Sequence, residues 1–270
     1  MGARSGRKLV AFDRRLGARF VAGADEAGRG SLAGPLVAAA VLLDYERLRG
    51  PRLTPLASLN DSKQLLPEER ERIFHAVLRL ATQVSVQVVS PGEIDRNGLH
   101  RSNLRALAAA LRAVGPTADV RLVDGFRLGP TALPHRAVVD GDQKSAAVAA
   151  ASVIAKVVRD RAMRRLDALY PAFGFVSHVG YITPGHSAVV RRRGPCVLHR
   201  RSFQALCYVD SGVGVEVEVD AVPADIDADA IVATEADPDP ADAGLADAGS
   251  TAAPTLEQPL ITPTARSRAA

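Results

Sequence analysis

Residues 21–30 read VAGADEAGRG. The run Val21-Ala22-Gly23-Ala24 is short and apolar, and it reads as a strand heading into a core. Two adjacent acids follow, Asp25 and Glu26, and then a glycine-flanked arginine, Gly28-Arg29-Gly30. A buried strand holds carboxylates in place, and carboxylate oxygens are preferred ligands of Mg2+ or Mn2+. The Gly-Arg-Gly turn lets backbone N–H groups approach an anion closely, with a guanidinium beside them. Metal-binding acids next to a phosphate-sized nest suggest cutting or joining at a phosphodiester. The plainer alternative is a solvated strand end. Further acids at the ends of other core elements decide between the two.

Outward from this stretch, strand and helix patterns alternate. Strands read over 20–24 and 35–43, the second as a continuous buried run, LVAAAVLL. A helix reads over 68–80, with Pro67 at its first turn. Residues 83–89 alternate as a strand, and 99–114 place Leu104, Leu107 and Leu111 at helical spacing. A strand over 120–123 ends in Asp124-Gly125, and a short one over 136–139 ends in Asp140-Gly141-Asp142. A long Ala-rich helix follows over 144–169, and a last helical stretch lies near 186–193. This interleaving predicts one α/β domain over 18–208, with a mixed sheet flanked by helices. Residues 1–17 read as a loose basic leader. Residues 209–270 read as a disordered acidic tail rich in Ala, Asp and Pro, with too few large apolar groups to offset chain entropy.

The net charge of +4 conceals two opposite parts. Residues 1–208 hold 32 Lys and Arg against 17 Asp and Glu, and the remainder holds 2 against 13. A body this basic suits a polyanionic partner, because Lys and Arg gain by releasing counterions from phosphates. Apolar content of 47% supports a packed core. Cys196 and Cys207 are too few for a disulfide framework and are not spaced as a zinc site, which fits a reducing, cytoplasmic compartment. No apolar run approaches the ~20 residues needed to span a membrane.

Three predicted strand ends carry acids: Asp25 with Glu26, Asp124, and Asp142 three residues beyond Val139. In open α/β sheets, sites form outside strand ends, where loops converge. Bare carboxylates at close range repel, so clustering makes sense around a cation. Two divalent ions ~4 Å apart would activate a water and stabilise the leaving oxygen of an in-line displacement. Each Asp before Gly is also a common turn residue. The four together on a basic body favour the metal reading.

At this point the chain resembles a known family. VAGADEAGRGSLAGPLVAAAV, LNDSKQL, LVDG, DGDQKSAAVAAASVIAKVVRDRAM, HVGYITPGH and HRRSF occur in the order seen in type 2 ribonuclease H (bacterial ribonuclease HII). The resemblance runs from about Val21 to Phe203. It implies a ribonuclease H-like fold with a C-terminal helical portion. It implies Mg2+- or Mn2+-dependent cleavage of the RNA strand of RNA–DNA hybrids. It also implies incision 5′ to a ribonucleotide embedded in duplex DNA, leaving a 3′-hydroxyl and a 5′-phosphate. Asp25, Glu26 and Asp124 then look like the principal metal ligands, and Asp142 like the fourth acid. Gly28-Arg29-Gly30 resembles the element that reads the 2′-hydroxyl and flanking phosphate through its backbone. Tyr181 matches the tyrosine that stacks at the ribonucleotide, where the 2′-hydroxyl is the local mark distinguishing RNA from DNA.

Other residues leave alternatives open. Ser62 and Lys63, after Asp61, fit a phosphate-contacting loop or an ordinary polar turn. Lys144, Arg200 and Arg201 fit nucleic-acid backbone contacts or a solvated face. Ser152, Lys156 and Asp160 share one helix face, with a salt bridge as the favoured role of Asp160. His186 and His199 read equally as packed, surface or functional histidines. Two positions depart from the family: Val179 and Ile182 stand where Lys and Pro flank the Gly-Tyr pair, which removes one phosphate contact. The reading predicts a monomeric enzyme with hybrid and ribonucleotide-containing duplexes as partners. Its rivals are a junction resolvase, which has no use for Tyr181, and a non-catalytic hybrid-binding protein.

Overall fold

The strand that carries the first two acids, β1 (Phe20–Ala27), lies in the middle of a five-stranded sheet. The computed structural model describes residues 5–59, 66–203 and 205–209, all within one unit of the chain, Met1–Thr234. β1 pairs antiparallel with β2 (Leu36–Asp44), which pairs antiparallel with β3 (Gln83–Val89). On its other side β1 runs parallel to β4 (Val120–Asp124), which runs parallel to β5 (Arg136–Val138). The order is β3-β2-β1-β4-β5.

All of β2 is buried, because both faces of the sheet are covered. Val37, Ala39, Val41 and Leu43 join one apolar cluster, packed under α1 (Ser5–Arg14), α2 (Pro67–Leu80) and α5 (Ala146–Leu169). Leu36, Ala38, Ala40 and Leu42 join the opposite cluster, under α4 (Leu99–Val114). The period-2 alternation of a strand puts successive side chains on opposite faces, so two helical layers demand an unbroken apolar run.

Helix α5 lies against β1 at backbone contact. A Cβ on Gly23 would fall 2.2 Å from the carbonyl carbon of Ala147. The alanines of α5 and the bare Cα of Gly23 together allow this approach. Gly23→Ala is therefore expected to cost about 1–3 kcal/mol by forcing helix and strand apart, measured as a lowered urea midpoint. The same shift separates Asp25 from Ser152 on α5.

Several boundaries differ from the sequence reading. β1 continues to Ala27, so Asp25 and Glu26 lie inside the strand rather than after it. α5 starts at Ala146, where the Ser145 side chain caps the helix by accepting from Val148 N. The loose leader predicted over 1–17 is corrected from Ser5 onward, since Ser5–Arg14 is helical. Leu9 and Val10 are buried, and the Asp13 carboxylate accepts from Ala147 N at 2.9 Å and from the Tyr45 hydroxyl. An acid at the first turn of α5 meets unpaired N–H groups and the positive end of the helix dipole. The sequence reading also missed α3 (Pro91–Asn97), capped by Ser90, and the short α6 (Phe175–His178) and α8 (Leu206–Val209). Helix α7 (Pro184–Arg193) starts two residues earlier than predicted, capped by Thr183. Of the tail predicted over 209–270, Val209 closes α8, and the rest lies outside the described residues.

Candidate active site

The parallel pairing of β1 and β4 brings the first acids together. Their last paired residues are Ala24 and Val123, so Asp25 and Asp124 follow side by side at the same ends of neighbouring strands. Asp124 Oδ1 accepts from Gly141 N at 2.6 Å, which ties the end of β4 to the turn carrying Asp142. Asp25, Glu26, Asp124 and Asp142 all line one open cleft of about 1030 Å³. Gly28, Arg29, Gly30 and Tyr181 line the same cleft.

The acids are held in an environment that disfavours bare charge. Asp25 and Asp142 are buried, and Glu26 and Asp124 are half-buried. Burial pushes the Asp25 carboxyl well above its usual range, and the charges of Glu26 and Asp124 add to this; a hydrogen bond with Ser152 and one from Glu26 N only partly oppose it. Among the described residues, no three His, Cys, Asp or Glu side chains are already closed into a metal cage. The donor set nevertheless fits a hard divalent cation. It consists of carboxylate oxygens at one cleft, and a cation removes the repulsion that raises Asp25.

The Gly28-Arg29-Gly30 turn is built from below by two buried arginines. Gly28 has φ +83°, and a Cβ there would sit 1.8 Å from Arg159 Nε, so any side chain would be strained and would displace the buried guanidinium. Arg159 donates to the carbonyls of Pro35 (3.0 Å) and Ala33 (3.2 Å). Arg200 donates from Nε and Nη2 to Gly34 O at 3.0 and 2.9 Å, and from Nη1 to Arg29 O at 2.9 Å. Burial, with Arg159 next in effect, pushes the Arg200 guanidinium down to about 9. This corrects both sequence readings of Arg200, as a nucleic-acid contact and as part of a solvated face: it is fully buried and holds protein carbonyls. Arg201 is exposed. The Arg29 side chain lies over the Phe126 ring, 4.6 Å from its centroid, at the cleft edge.

The opposite wall comes from α5 and α2. Ser152 and Lys156 line the cleft, and Lys156 Nζ pairs with Asp160 Oδ1 at 2.6 Å. Asp160 also pairs with Arg70 Nη1 at 3.6 Å, so it acts as the salt-bridge partner favoured from its helix position. Arg70, Phe126, Val139 and Phe203 line the cleft as well and were missed from the sequence. Lys144 does not line it; its ammonium donates to Val139 O at 2.6 Å. Ser62 and Lys63 lie outside the described residues.

Tyr181 stands at the cleft mouth, with Arg159 Cζ 5.5 Å and Lys156 Nζ 5.9 Å from its ring centroid. Val179, two residues before it, has φ +42°, a strained conformation for a β-branched side chain. Ile182 just after it is exposed.

His186 and His199 are packed rather than exposed, with Nε2 atoms 3.0 Å apart. Burial pushes the His199 ring down to about 3, and the neighbouring His186 adds to this. A histidine that stays neutral in the folded chain stabilises it fully above the unfolded value near 6.5. That contribution is lost as pH falls, because only the unfolded chain then takes up the proton. The slope approaches about 1.4 kcal/mol per pH unit. We expect the melting temperature to fall more steeply from pH 7 to pH 5 in the wild type than in His199→Asn. Equal slopes would show that the ring protonates in place.

Comparison with known proteins agrees in extent with this domain. A family model described as Ribonuclease HII matches residues 22–206. The ribonuclease HII of Salinispora arenicola is 48% identical over 198 residues, covering 72% of this chain and 72% of that one. The ribonuclease HII of Geobacillus kaustophilus is 45% identical over 199 residues, covering 73% and 74%. Among solved structures, ribonuclease H2 of Pyrococcus horikoshii superposes with a TM-score of 0.60 at 28% identity, covering 71% of this chain and 96% of that one.

Proposed function

The chain belongs to the ribonuclease HII family of endoribonucleases, and on that premise we propose that it cuts the RNA strand of RNA–DNA hybrids in a Mg2+- or Mn2+-dependent reaction. We extend this to incision 5′ to a single ribonucleotide in duplex DNA. The observation that carries the reading is the convergence of Asp25, Glu26, Asp124 and Asp142 with Gly28-Arg29-Gly30 and Tyr181 on one cleft. No two of these three elements are adjacent in sequence except the first acids and the glycine turn.

Asp25, Glu26, Asp124 and Asp142 would hold the metal. Divalent ions bound there supply an activated water and charge stabilisation at the scissile phosphate. The protein's own groups do the positioning. The backbone of Gly28-Arg29-Gly30, pinned by Arg200, offers N–H donors to the phosphate beside the ribose and to its 2′-hydroxyl. Arg29, Lys156 and Arg70 bring positive charge to a cleft whose floor is acidic, which suits a phosphate backbone crossing carboxylates. Tyr181 offers a ring face to the ribonucleotide. No side chain here is required as a nucleophile.

The test is an RNA–DNA hybrid labelled on the RNA strand, incubated with protein in EDTA and then with Mg2+ or Mn2+ restored. Internal cuts bearing 5′-phosphates are expected only after restoration. Cleavage that persists in EDTA would overturn the metal assignment, and binding without any product would favour a non-catalytic protein.

A further inference from the structure

We propose that His186 and His199 are positioning residues that set Tyr181 through a one-way chain of hydrogen bonds between neutral rings. This rests on the proposed function, in which Tyr181 faces the ribonucleotide, and adds the device that fixes it there.

The direction of the chain follows from its first donor. Cys196 N lies 3.1 Å from His199 Nδ1, and a backbone N–H can only donate, so Nδ1 accepts. His199 therefore carries its proton on Nε2, which faces His186 Nε2 at 3.0 Å. His186 Nε2 must accept, which leaves its proton on Nδ1. That nitrogen lies 2.9 Å from the Tyr181 carbonyl, the acceptor the chain needs. Every link is satisfied by two neutral rings. A proton added to either ring puts two donors face to face.

A third ring completes the support. Gly180 N donates to His178 Nδ1 at 3.2 Å, so His178 carries its proton on Nε2 and donates to Phe173 O at 2.9 Å. Tyr181 N donates to His178 O at 2.9 Å. The His178 ring stacks on His186 at 4.1 Å. Gly180 is pressed onto the segment that follows the Gly28-Arg29-Gly30 turn: Ala33 N donates to its carbonyl, and a Cβ there would fall 2.2 Å from Ala33 O. Both peptide groups of Tyr181 are thus tied to histidines, while its ring remains at the cleft. This compensates for Val179, whose left-handed conformation favours a glycine or asparagine.

The surroundings keep the rings neutral. The polar and charged groups facing the pair are His178 on α6, Cys196 and Arg201 on the segment after α7, and Tyr208 on α8. Phe173 and Phe175 cover the rest. His178 and Arg201 both oppose a positive charge on His199.

The experiment is a double-mutant cycle on single-turnover cleavage of a duplex with one ribonucleotide, using wild type, His186→Phe, Tyr181→Ala and the double variant. His186→Phe is expected to slow the wild-type reaction about tenfold or more, the cost of misplacing a contact by a fraction of an ångström. In the Tyr181→Ala background it is expected to change the rate less than about twofold, because the residue it acts through is gone. His186→Asn, whose amide nitrogen stands near the Nδ1 position, is expected to recover most of the loss. Equal losses in both backgrounds, or no recovery with Asn, would overturn the proposal while leaving the nuclease reading intact. A wild type that never cuts this duplex would overturn the reading and the inference together. Nitrogen-15 shifts of the wild-type rings provide a readout independent of any variant. They should show Nδ1–H at His186 and Nε2–H at His178 and His199 at pH 7, and an imidazolium or the opposite tautomer at His186 would overturn the chain.

Discussion

Asp25→Asn is expected to lower the single-turnover rate on an RNA–DNA hybrid by at least about a thousand-fold and, in EDTA, to raise the melting temperature. A thousand-fold loss corresponds to about 4 kcal/mol of transition-state stabilisation. The two effects have one cause. Asp25 is buried beside Glu26 and Asp124, and burial with their like charge holds its carboxyl well above the ordinary range. At neutral pH, without a cation, a carboxyl at position 25 therefore works against the fold, because its charge is disfavoured there and not in the unfolded chain. Asparagine keeps the shape and the oxygen that accepts from Glu26 N at 2.7 Å, while removing the charge. The cation loses the ligand and the fold loses the repulsion. Adding Mn2+ should stabilise the wild type by mass action and the variant far less. A variant within tenfold of the wild-type rate would remove Asp25 from the metal set. A variant that melts lower in EDTA would show that the Asp25 charge is not a burden to the fold.

Arg200→Met is expected to cost about 3 kcal/mol of stability and to raise the KM for hybrid about tenfold, whereas Arg201→Met should stay within about 0.5 kcal/mol of wild type. The two arginines are adjacent, but their surroundings are opposite. Arg200 makes three hydrogen bonds to the carbonyls of Gly34 and Arg29, 166 and 171 residues away. Methionine fills much of the same space and leaves both carbonyls short of a charged donor. The turn at Gly28-Arg29-Gly30 then loses the contact that fixes its backbone, so the donors it offers to substrate are less well ordered before binding. Urea denaturation and steady-state kinetics read the two effects separately. A stable Arg200→Met protein with weakened hybrid binding would instead favour a direct nucleic-acid contact, one of the two roles the sequence left open.

Legibility in the sequence followed the range of the interactions involved. The apolar run of β2 and the leucine spacing of α4 are local patterns; α4 formed over the residues read, and β2 formed one residue later, over Leu36–Asp44 instead of 35–43. Asp25, Glu26, Asp124 and Asp142 could be grouped in advance because the apolar runs before them read as strands ending at or just before each acid, and parallel neighbours bring such ends together. Placing Asp25 and Glu26 inside β1 needed the pairing partner, since Asp25 and Glu26 oppose Ala39 and Ala38 of β2. Arg70 and Phe126 reach the cleft only through the packing of α2 on α5 and the turn after β4, so no local pattern marks them. Arg200 was misread because a charge is solvated by default, and its partners are carbonyls far along the chain. The helix Ser5–Arg14 was hidden by its basic composition; the buried Leu9, Val10 and Asp13 were its signal. The two substitutions relative to the family pattern, Val179 and Ile182, were visible at once. The histidine support beneath them was not, because it joins residues 178, 186, 196 and 199 through ring nitrogens.

Recognition of a ribose within DNA is what the cleft must achieve, and it can be read directly. A labelled DNA duplex with one ribonucleotide should be cut once, on the 5′ side of that nucleotide, in Mg2+ or Mn2+. The products should carry a 3′-hydroxyl and a 5′-phosphate, and the matching all-DNA duplex should remain whole. Equal cutting of the all-DNA duplex, or no cut by a folded, metal-supplied protein, would contradict it.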